Sequence, residues 1–330
     1  MENIEVVQVA FLHPMISALE TAGVPVDRLL RNSKLDNFRL DDLDMFVPAT
    51  CAYNFIDAVV KHETGPHIPR EILSTYRLGN MGNWGAYVSA FPDILSTCIA
   101  ATDPAARNLS TENLTLDLDG TRTTLSDRFA IQPSMALAWI EHLTAHLMLD
   151  GLRVGGGKSW VPSEIHFSSR SVTGLDRMLS DRDIDFRFDQ PATAVVFPTE
   201  LLASPMTSGT HPPDHQKPDG IGALTSGRLE MVLDASIDRF RPTLEVMAAL
   251  ANISPRTLQR RLADEGLSFS TFVDRWRLKR SLPLLRDPRL TVREIGQQLR
   301  YANASHFVRA FNRWTGTTPQ RYRDELAAMS

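Results

Sequence analysis

Cysteine is almost missing from this chain: Cys51 and Cys98 are the only two in 330 residues. Two thiols build no disulfide framework and no zinc site on their own, and such sparing use fits a reducing cytoplasm. Long hydrophobic runs are missing too, with no stretch of the ~18 apolar residues that a membrane-crossing helix needs. The opening MENIEVVQVAFLHP is acidic and has no basic segment ahead of its apolar residues, so no secretory leader is expected. What is present is length enough for two domains, each able to bury a core.

Charge is scarce only in the sum. The net −4 conceals an asymmetry: from Ser236 onward 17 Lys and Arg stand against 9 Asp and Glu, a balance of +8, and the preceding residues hold 18 against 30, or −12. A basic module joined to an acidic one is what a nucleic-acid-binding domain carried by a second, phosphate-repelled domain requires.

The segment LTVREIGQQLRYANASHFVRAFNRWTGTTPQRYR, from Leu290, predicts a helix-turn-helix. Thr291 and Glu294 form a T-x-x-E capping box. A first helix over about Val292–Leu299 places Val292, Ile295 and Leu299 on one face, and Arg300–Ala304 makes the turn. A second helix starts near Ser305, aligns Phe307, Ala310, Phe311 and Trp314, and ends at Gly316 in a left-handed cap. Pro319 opens a final short helix through Tyr322 and Arg323. The other face of the second helix carries Ser305, His306, Arg309, Asn312 and Arg313. A helix fits the major groove, where Arg can take guanine O6/N7 and shorter side chains reach base edges or phosphates. The bland alternative is a solvated basic face on an ordinary helical hairpin.

The pattern occurs twice. Thr243–Leu250 predicts a short helix, Ala251–Ile253 a turn, and Ser254 an N-cap before Pro255 at the first helical position. The helix Arg256–Asp264 closes at Gly266, with Leu258 and Leu262 inward and Arg256, Gln259 and Arg260 outward. A connecting helix over Ser270–Arg286 would span about 25 Å, a spacer able to hold two recognition helices about one DNA turn, near 34 Å, apart. Pro283 inside it removes one hydrogen bond and should kink it.

With these residues in view, Ile237–Arg323 resembles the double helix-turn-helix DNA-binding domain of the AraC/XylS family of bacterial transcription regulators. The resemblance is carried by SHFVRAFNRWTG at Ser305–Gly316, by Pro319, Tyr322 and Arg323, and by SPRTLQRRL at Ser254–Leu262. It implies base contacts from Arg256, Gln259 and Arg260 in the first recognition helix and from Ser305, His306 and Arg309 in the second. One departure matters: the family usually has Gly-Phe before the second turn, and this chain has Arg300-Tyr301, so Arg300 is expected to accept a positive φ.

Upstream, helices are expected at Pro14–Ala22, Val26–Asn32, Pro48–His62, Arg70–Tyr76 and Asp93–Ala101. Leu78–Ala90 (LGNMGNWGAYVSA) admits two readings, close backbone packing at its glycines or the wall of a ligand pocket, with Met81, Trp84 and Tyr87 as ligand-binding candidates. Leu114, Leu116 and Leu118 alternate with polar residues into a hairpin whose turn is Asp119-Gly120. A long apolar helix follows over Pro133–Leu149, ended by Gly151. Strands are expected at Ser163–Ser168, Asp185–Phe188 and Ala194–Phe197, with a helix near Gly174–Leu179. The fold class is therefore multidomain: an α+β regulatory domain with a small, mostly antiparallel sheet, then an all-α double helix-turn-helix domain. This front half is similar to the arabinose-binding-like regulatory type within the AraC family, a likeness that says nothing of arabinose itself. Pro205–Ser226 reads as a flexible linker, giving residues 1–204, 205–226 and 227–330 as sensing and dimerising domain, linker and DNA-binding domain.

Three apparent motifs carry less than they suggest. In GGGKS, Gly155–Ser159, the first glycine of a phosphate loop is replaced by Leu152 and the preceding segment is helical, so it reads as a loop. His142 and His146 stand i, i+4, but no carboxylate or Cys joins them at zinc spacing. Each cysteine lies in an apolar helix, where a small buried residue is the default. The expectation is a cytoplasmic, non-enzymatic regulator of transcription, without cofactor or metal, that binds double-stranded DNA as a homodimer. It would answer a small-molecule effector and, as an activator, contact RNA polymerase. The alternatives are a regulator whose N-terminal domain only oligomerises or binds a protein, and an enzyme tethered to DNA. The two enzyme-bearing architectures that resemble this one need a four-Cys zinc site or a strand–Cys–helix elbow, and the sequence offers neither.

Overall fold

A computed structural model describes residues 4–64, 68–131, 134–170, 174–179, 182–206, 217, 220–222 and 224–329. The chain divides into two compact units, one of residues 5–222 and one of residues 223–330 with Ile4.

The first unit opens with β1 (Val6–Gln8), α1 (Val9–Thr21), α2 (Val26–Asn32), β2 (Phe46–Pro48) and α3 (Ala49–Val59), followed by α4 (Arg70–Thr75), α5 (Gly82–Ser89) and α6 (Ile94–Thr102). Then come β3 (Leu114–Asp119), β4 (Arg122–Asp127), α7 (Met135–Gly156), β5 (Glu164–His166), α8 (Leu175–Met178), β6 (Asp185–Arg187) and β7 (Thr193–Pro198). The main sheet has the order β3-β4-β7-β5-β6 and is antiparallel except for the β5–β6 pair. β7, at its centre, is buried over Thr193–Phe197, and edge strand β3 is mostly exposed. α7 lies on the buried face. Ala145, Met148, Leu149 and Leu152 pack with Leu125, Ile165, Phe167, Val195 and Phe197, and α6 adds Ile94 and Cys98.

The α+β class and the mostly antiparallel sheet match the pattern of apolar periods. Four local expectations do not. α1 starts at Val9 and carries Pro14 in its interior; the N-cap residue, Gln8, makes no side-chain cap hydrogen bond, so nothing in the sequence marked that start. The β3–β4 turn is Gly120-Thr121, with Gly120 at φ +59°, one residue later than Asp119-Gly120. Glycine at the first central position suits a II′ turn. Gly151 does not end α7, which runs to Gly156. A Cβ on Gly155 would come within 2.7 Å of the Ile94 side chain, and one on Gly156 within 2.8 Å of Trp160. These glycines let α6 and Trp160 approach the helix, and the two are helical, not the loop expected of GGGKS; Gly157, at φ +91°, follows as the C-cap. Most of Pro205–Ser226, the expected linker, lies outside the described residues; at its edges Met206 is buried and Gly220 donates a backbone hydrogen bond to Ala105.

His142 stacks on Phe167 with ring centroids 4.1 Å apart, and His146 is buried deeply enough that desolvation pulls its imidazole down to about 4. Burial likewise pushes the thiols of Cys51 and Cys98 up to about 11 and about 12, which leaves them protonated and inert. No group of three metal-ligating side chains and no helix long and apolar enough to cross a membrane occurs among the described residues.

The second unit is all helical in its described residues: α9 (Thr225–Ser236), α10 (Leu244–Leu250), α11 (Pro255–Asp264), α12 (Phe269–Arg286), α13 (Val292–Gln298), α14 (Ala304–Thr315) and α15 (Pro319–Met329). α12 is the buried strut, seating Phe272, Val273, Trp276 and Leu285. It runs on through Pro283, whose exposed position leaves the lost carbonyl partner to water.

Two glycines of the Leu78–Ala90 stretch, Gly82 and Gly85, serve close packing. A Cβ on Gly85 would overlap the Leu78 carbonyl oxygen and sit 2.9 Å from Met81 Cβ, whereas Gly79 has nothing within 4 Å. Gly85→Ala should therefore lower unfolding stability by roughly 1–3 kcal/mol, and Gly79→Ala should leave it within about 0.5 kcal/mol or raise it slightly, as read by urea melts. Equal effects of the two substitutions would remove the packing argument.

Candidate nucleic-acid interface

Each helix-turn-helix is built on the same backbone device. In the first, Asn252 takes φ +54°; the backbone N–H of Asn252 donates to Ala249 and that of Ile253 to Ala248. In the second, Arg300 takes φ +59°, Arg300 donates to Gln297 and Tyr301 to Gly296. These paired bonds satisfy the last carbonyls of α10 and α13 and turn the chain sharply into the next helix. At the second turn the helices also touch closely, since a Cβ on Gly296 would lie 3.3 Å from Phe307 Cβ.

Arg300 accepts the left-handed conformation usually left to Gly, and its side chain has an employment that Gly could not supply. The guanidinium donates to the carbonyl of Ile237 at 2.7 Å and to that of Asp238, just past the end of α9. A cation there also meets the negative end of the helix dipole. The neighbouring Tyr301 lies under the Arg277 guanidinium, 4.3 Å from ring centre, and packs on Phe307. Both departures from Gly-Phe thus have partners that lock the second hairpin to α9 and α12.

The two outward helices start from strong caps. Ser254 Oγ accepts the N–H of Thr257 at 3.1 Å, with Pro255 at the first helical position. α14 is capped by Asn303, whose Oδ1 accepts the N–H of His306 at 3.0 Å. It therefore starts at Ala304, one residue before Ser305, and Ala304 is not in the turn. The capping box of Thr291 and Glu294 is present in full. Gly266 and Gly316, at φ +72° and +76°, close α11 and α14 as the sequence requires.

On α11, Leu258 and Leu262 are buried and Arg256, Gln259 and Arg260 are exposed. On α14, Phe307, Ala310 and Phe311 are buried, and Ser305, His306, Arg309, Asn312 and Arg313 are exposed. Among the described residues, the side chains of Arg256, Gln259, Arg260, Ser305, His306, Arg309 and Asn312 make no hydrogen bond or ion pair. Arg313 differs: it pairs with Asp274 of α12 at 2.7 Å. That ion pair is two-thirds exposed on the arginine side and contributes at most about 1 kcal/mol, so a phosphate could compete for the guanidinium. Several other cations of the unit are engaged internally. Lys279 pairs with Glu230, Arg280 with Asp234, and Arg323 donates to the Leu285 carbonyl at the end of α12. Sequence spacing alone did not single out Asn303 or the grip of Arg300 on α9; an Asn three residues before His306 was the signal for the first, and nothing local signals the second.

The first unit holds a cavity of ≈ 70 Å³ between α5, α6, α7 and the start of the β3–β4 hairpin. Of the three ligand candidates from the Gly-punctuated stretch, Trp84 lines it. Met81 is fully buried in the packing and Tyr87 stands edge-on to Phe91, and neither is on the cavity wall.

Residues 247–325 match the family described as helix-turn-helix domain, and residues 23–206 match the arabinose-binding domain of AraC transcription regulator, N-terminal. Among curated proteins, the chain is 36% identical over 99 residues to the HTH-type transcriptional regulator VqsM of Pseudomonas aeruginosa, covering 30% of each chain. It is 31% identical over 148 residues to the ornithine utilization regulator of the same organism, covering 42% of this chain and 43% of that one. The matches thus span well under half the length of these relatives. A crystal structure of the transcriptional regulator CdpR from P. aeruginosa aligns over 95% of this chain and 97% of its own at 18% identity and a TM-score of 0.40. The matched families and relatives are transcription regulators rather than enzymes.

The Arg300 clamp has a measurable consequence. Arg300→Ala and Arg300→Gly both lose the bonds to Ile237 and Asp238, but only Gly relieves the positive φ. Both variants should melt below the parent, with Arg300→Gly the more stable of the two by about 1 kcal/mol. An Arg300→Ala protein as stable as the parent in denaturant titration would show that the clamp contributes nothing.

Proposed function

We infer the function from one premise: the chain belongs to the family of AraC-type transcription regulators that carry an arabinose-binding domain at the N-terminal side. On that premise we propose that it is a sequence-specific regulator that binds double-stranded DNA with residues 227–330, laying α11 and α14 into two successive major-groove segments. The observation that carries this reading is the set of unpaired donors on two separately capped helices. Seven exposed polar side chains on α11 and α14 have no internal partner, although the other cations of the unit named above are engaged. Arg256, Gln259, Arg260 and Arg309 take base edges, Ser305, His306 and Asn312 take base edges or phosphate, and Arg313 exchanges Asp274 for phosphate. Residues 1–204 receive a small-molecule effector and pair two copies of the chain in the cytoplasm, with 205–226 as the link. If the protein activates transcription, RNA polymerase is the further partner. An effector regulates only through unequal affinity for two arrangements of the protein, a coupling typically worth about 1–3 kcal/mol.

Mapping the sites occupied on the source genome supplies the operator, and gel-shift titration on it tests the assignment. Affinity should fall steeply as salt is raised, because phosphate neutralisation releases counterions. Arg309→Ala should lose about 1–3 kcal/mol on that operator and relax preference at one base pair. Unchanged affinity and preference would take Arg309, and with it the proposed docking of α14, out of the interface.

A further inference from the structure

The cavity of the first unit has a chemical character that narrows its occupant. Its walls are mainly apolar, including Phe11, Leu78, Ile94, Leu109, Leu125 and Leu152. Into this apolar lining are set polar groups whose hydrogen-bonding capacity the protein leaves unused. Thr97 is 6% exposed and Trp84 8%, and neither Thr97 Oγ1 nor Trp84 Nε1 has a partner among the described residues. Asp127, 1% exposed, accepts the backbone N–H of Asn113 on Oδ1 at 3.0 Å; no N–H group reaches its buried Oδ2, and the side chain is hydrogen-bonded to the carboxyl of Glu112. Buried polar atoms without a partner, as in Thr97 and Trp84, cost free energy unless something arrives to satisfy them.

Facing Asp127 is a second carboxyl, Glu112, also on the cavity wall. Two carboxyls this close cannot both ionise in an apolar setting, so they share a proton. Burial pushes Asp127 up to about 7, and burial with the charge of Asp127 raises Glu112 well above the ordinary carboxylate range. The other charged or titratable groups around the pair are Arg107, which favours ionisation, and Tyr53, which feels both carboxyls and Glu5. Arg107 also donates to Asn113 Oδ1 at 3.1 Å. One guanidinium against two carboxyls leaves one negative charge to be matched if both ionise.

We propose that this cavity is the effector site and that its ligand is a small primary alkylammonium ion, the charged nitrogen seated on Asp127 and Glu112 and the hydrocarbon against the leucine-rich wall. This rests on the reading of residues 1–204 as an effector-receiving domain and names the chemistry of its site. An ammonium group brings three N–H donors and one positive charge, which is what Asp127 Oδ2, the Glu112 carboxyl and Thr97 Oγ1 together accept. A cavity of ≈ 70 Å³ holds roughly five to seven water-sized positions, enough for an amine of about that many non-hydrogen atoms. Binding expels the shared proton to solvent, so affinity rises with pH while the amine stays charged. For one proton leaving a group that titrates near 7, the gain between pH 6 and pH 8 is about tenfold.

Isothermal titration of the full chain with n-pentylamine, 1-pentanol and pentanoate separates the outcomes. The expected result is binding of n-pentylamine alone, about tenfold tighter at pH 8 than at pH 6, with heats that depend on buffer ionisation. Asp127→Asn should abolish it; Glu112→Gln and Thr97→Val, which test the same seat by milder changes, should weaken it at least severalfold if Asp127→Asn does not fold. Binding of 1-pentanol as tight as the amine, lost in Thr97→Val, would overturn the ammonium assignment and leave the effector site standing. Amine binding that is indifferent to pH and to all three substitutions would overturn the location. If none of the three probes binds, the ammonium assignment falls, and if operator affinity also proves insensitive to every metabolite added to a gel shift, the effector-receiving reading falls separately.

Discussion

A single left-handed residue at the end of α10 and another at the end of α13 decide how this protein presents its polar helix faces. The direction of each outward helix depends on the chain reversing within three residues, and only a positive φ closes the paired N–H···O=C bonds that make so sharp a bend. Asn252 does this with a residue type that tolerates the conformation. Arg300 does it with one that does not, and the cost of order 1 kcal/mol is offset by its grip on the carbonyls ending α9. The strain and the contact are therefore one feature: the residue that bends the second hairpin also fastens it to the helix preceding the first.

That fastening explains how the arginines are divided. A guanidinium is planar, always charged and rich in donors, which suits it equally to capping a helix end and to gripping phosphate or guanine. In the helical unit several arginines are held at home: Arg277 over Tyr301, Arg280 on Asp234, Arg323 on Leu285. Those on the outward faces of α11 and α14 are not held, except Arg313. The +8 of this part of the chain is thus no uniform basic coat. Part of it is internal scaffolding, and the unpaired donors of α11 and α14 are the part that the proposed docking uses.

Much of this was legible from residue order, for a definite reason. Caps, left-handed glycines and i, i+3, i+4 apolar spacing are local, so Thr291, Ser254, Gly266 and Gly316 announce helix ends without reference to the rest of the fold. The alternation of β3 and β4 declared the hairpin for the same reason. Misreadings arose where a distant contact overrides local preference. Gly151 and Gly155 look like helix stops, but their missing Cβ atoms are filled by Leu78 and Ile94 from elsewhere in the fold. Pro14 looks like a helix start and sits inside α1, buried among the residues of α1, Tyr76 reaching across to the Phe11 carbonyl nearby. Of Met81, Trp84 and Tyr87, which spacing could not tell apart, Trp84 is the one on the cavity wall, since the three fall within one short, glycine-broken stretch. Glu112 and Asp127 escaped attention altogether, because 15 positions and a hairpin separate them and only the β3–β4 register brings them together.

The buried carboxyl pair makes sense only against that register. Leu114 opposes Asp127 across the hairpin, so the acid falls at the closed, apolar end of the ladder and not at the solvent-exposed turn. A carboxyl in that position lowers the stability of the unliganded protein, and a fold optimised for stability alone would place an apolar residue there. Two acids held there on a shared proton can surrender it to a cation, and on the proposed reading the lost stability returns as affinity for that ligand. The exposed arginines of α11 and α14 follow the same logic on the proposed reading, since their donors are left for an anion to take. In both units the proposed partner is placed where polar groups lack one inside the protein, and the neighbouring groups that are satisfied internally serve the fold.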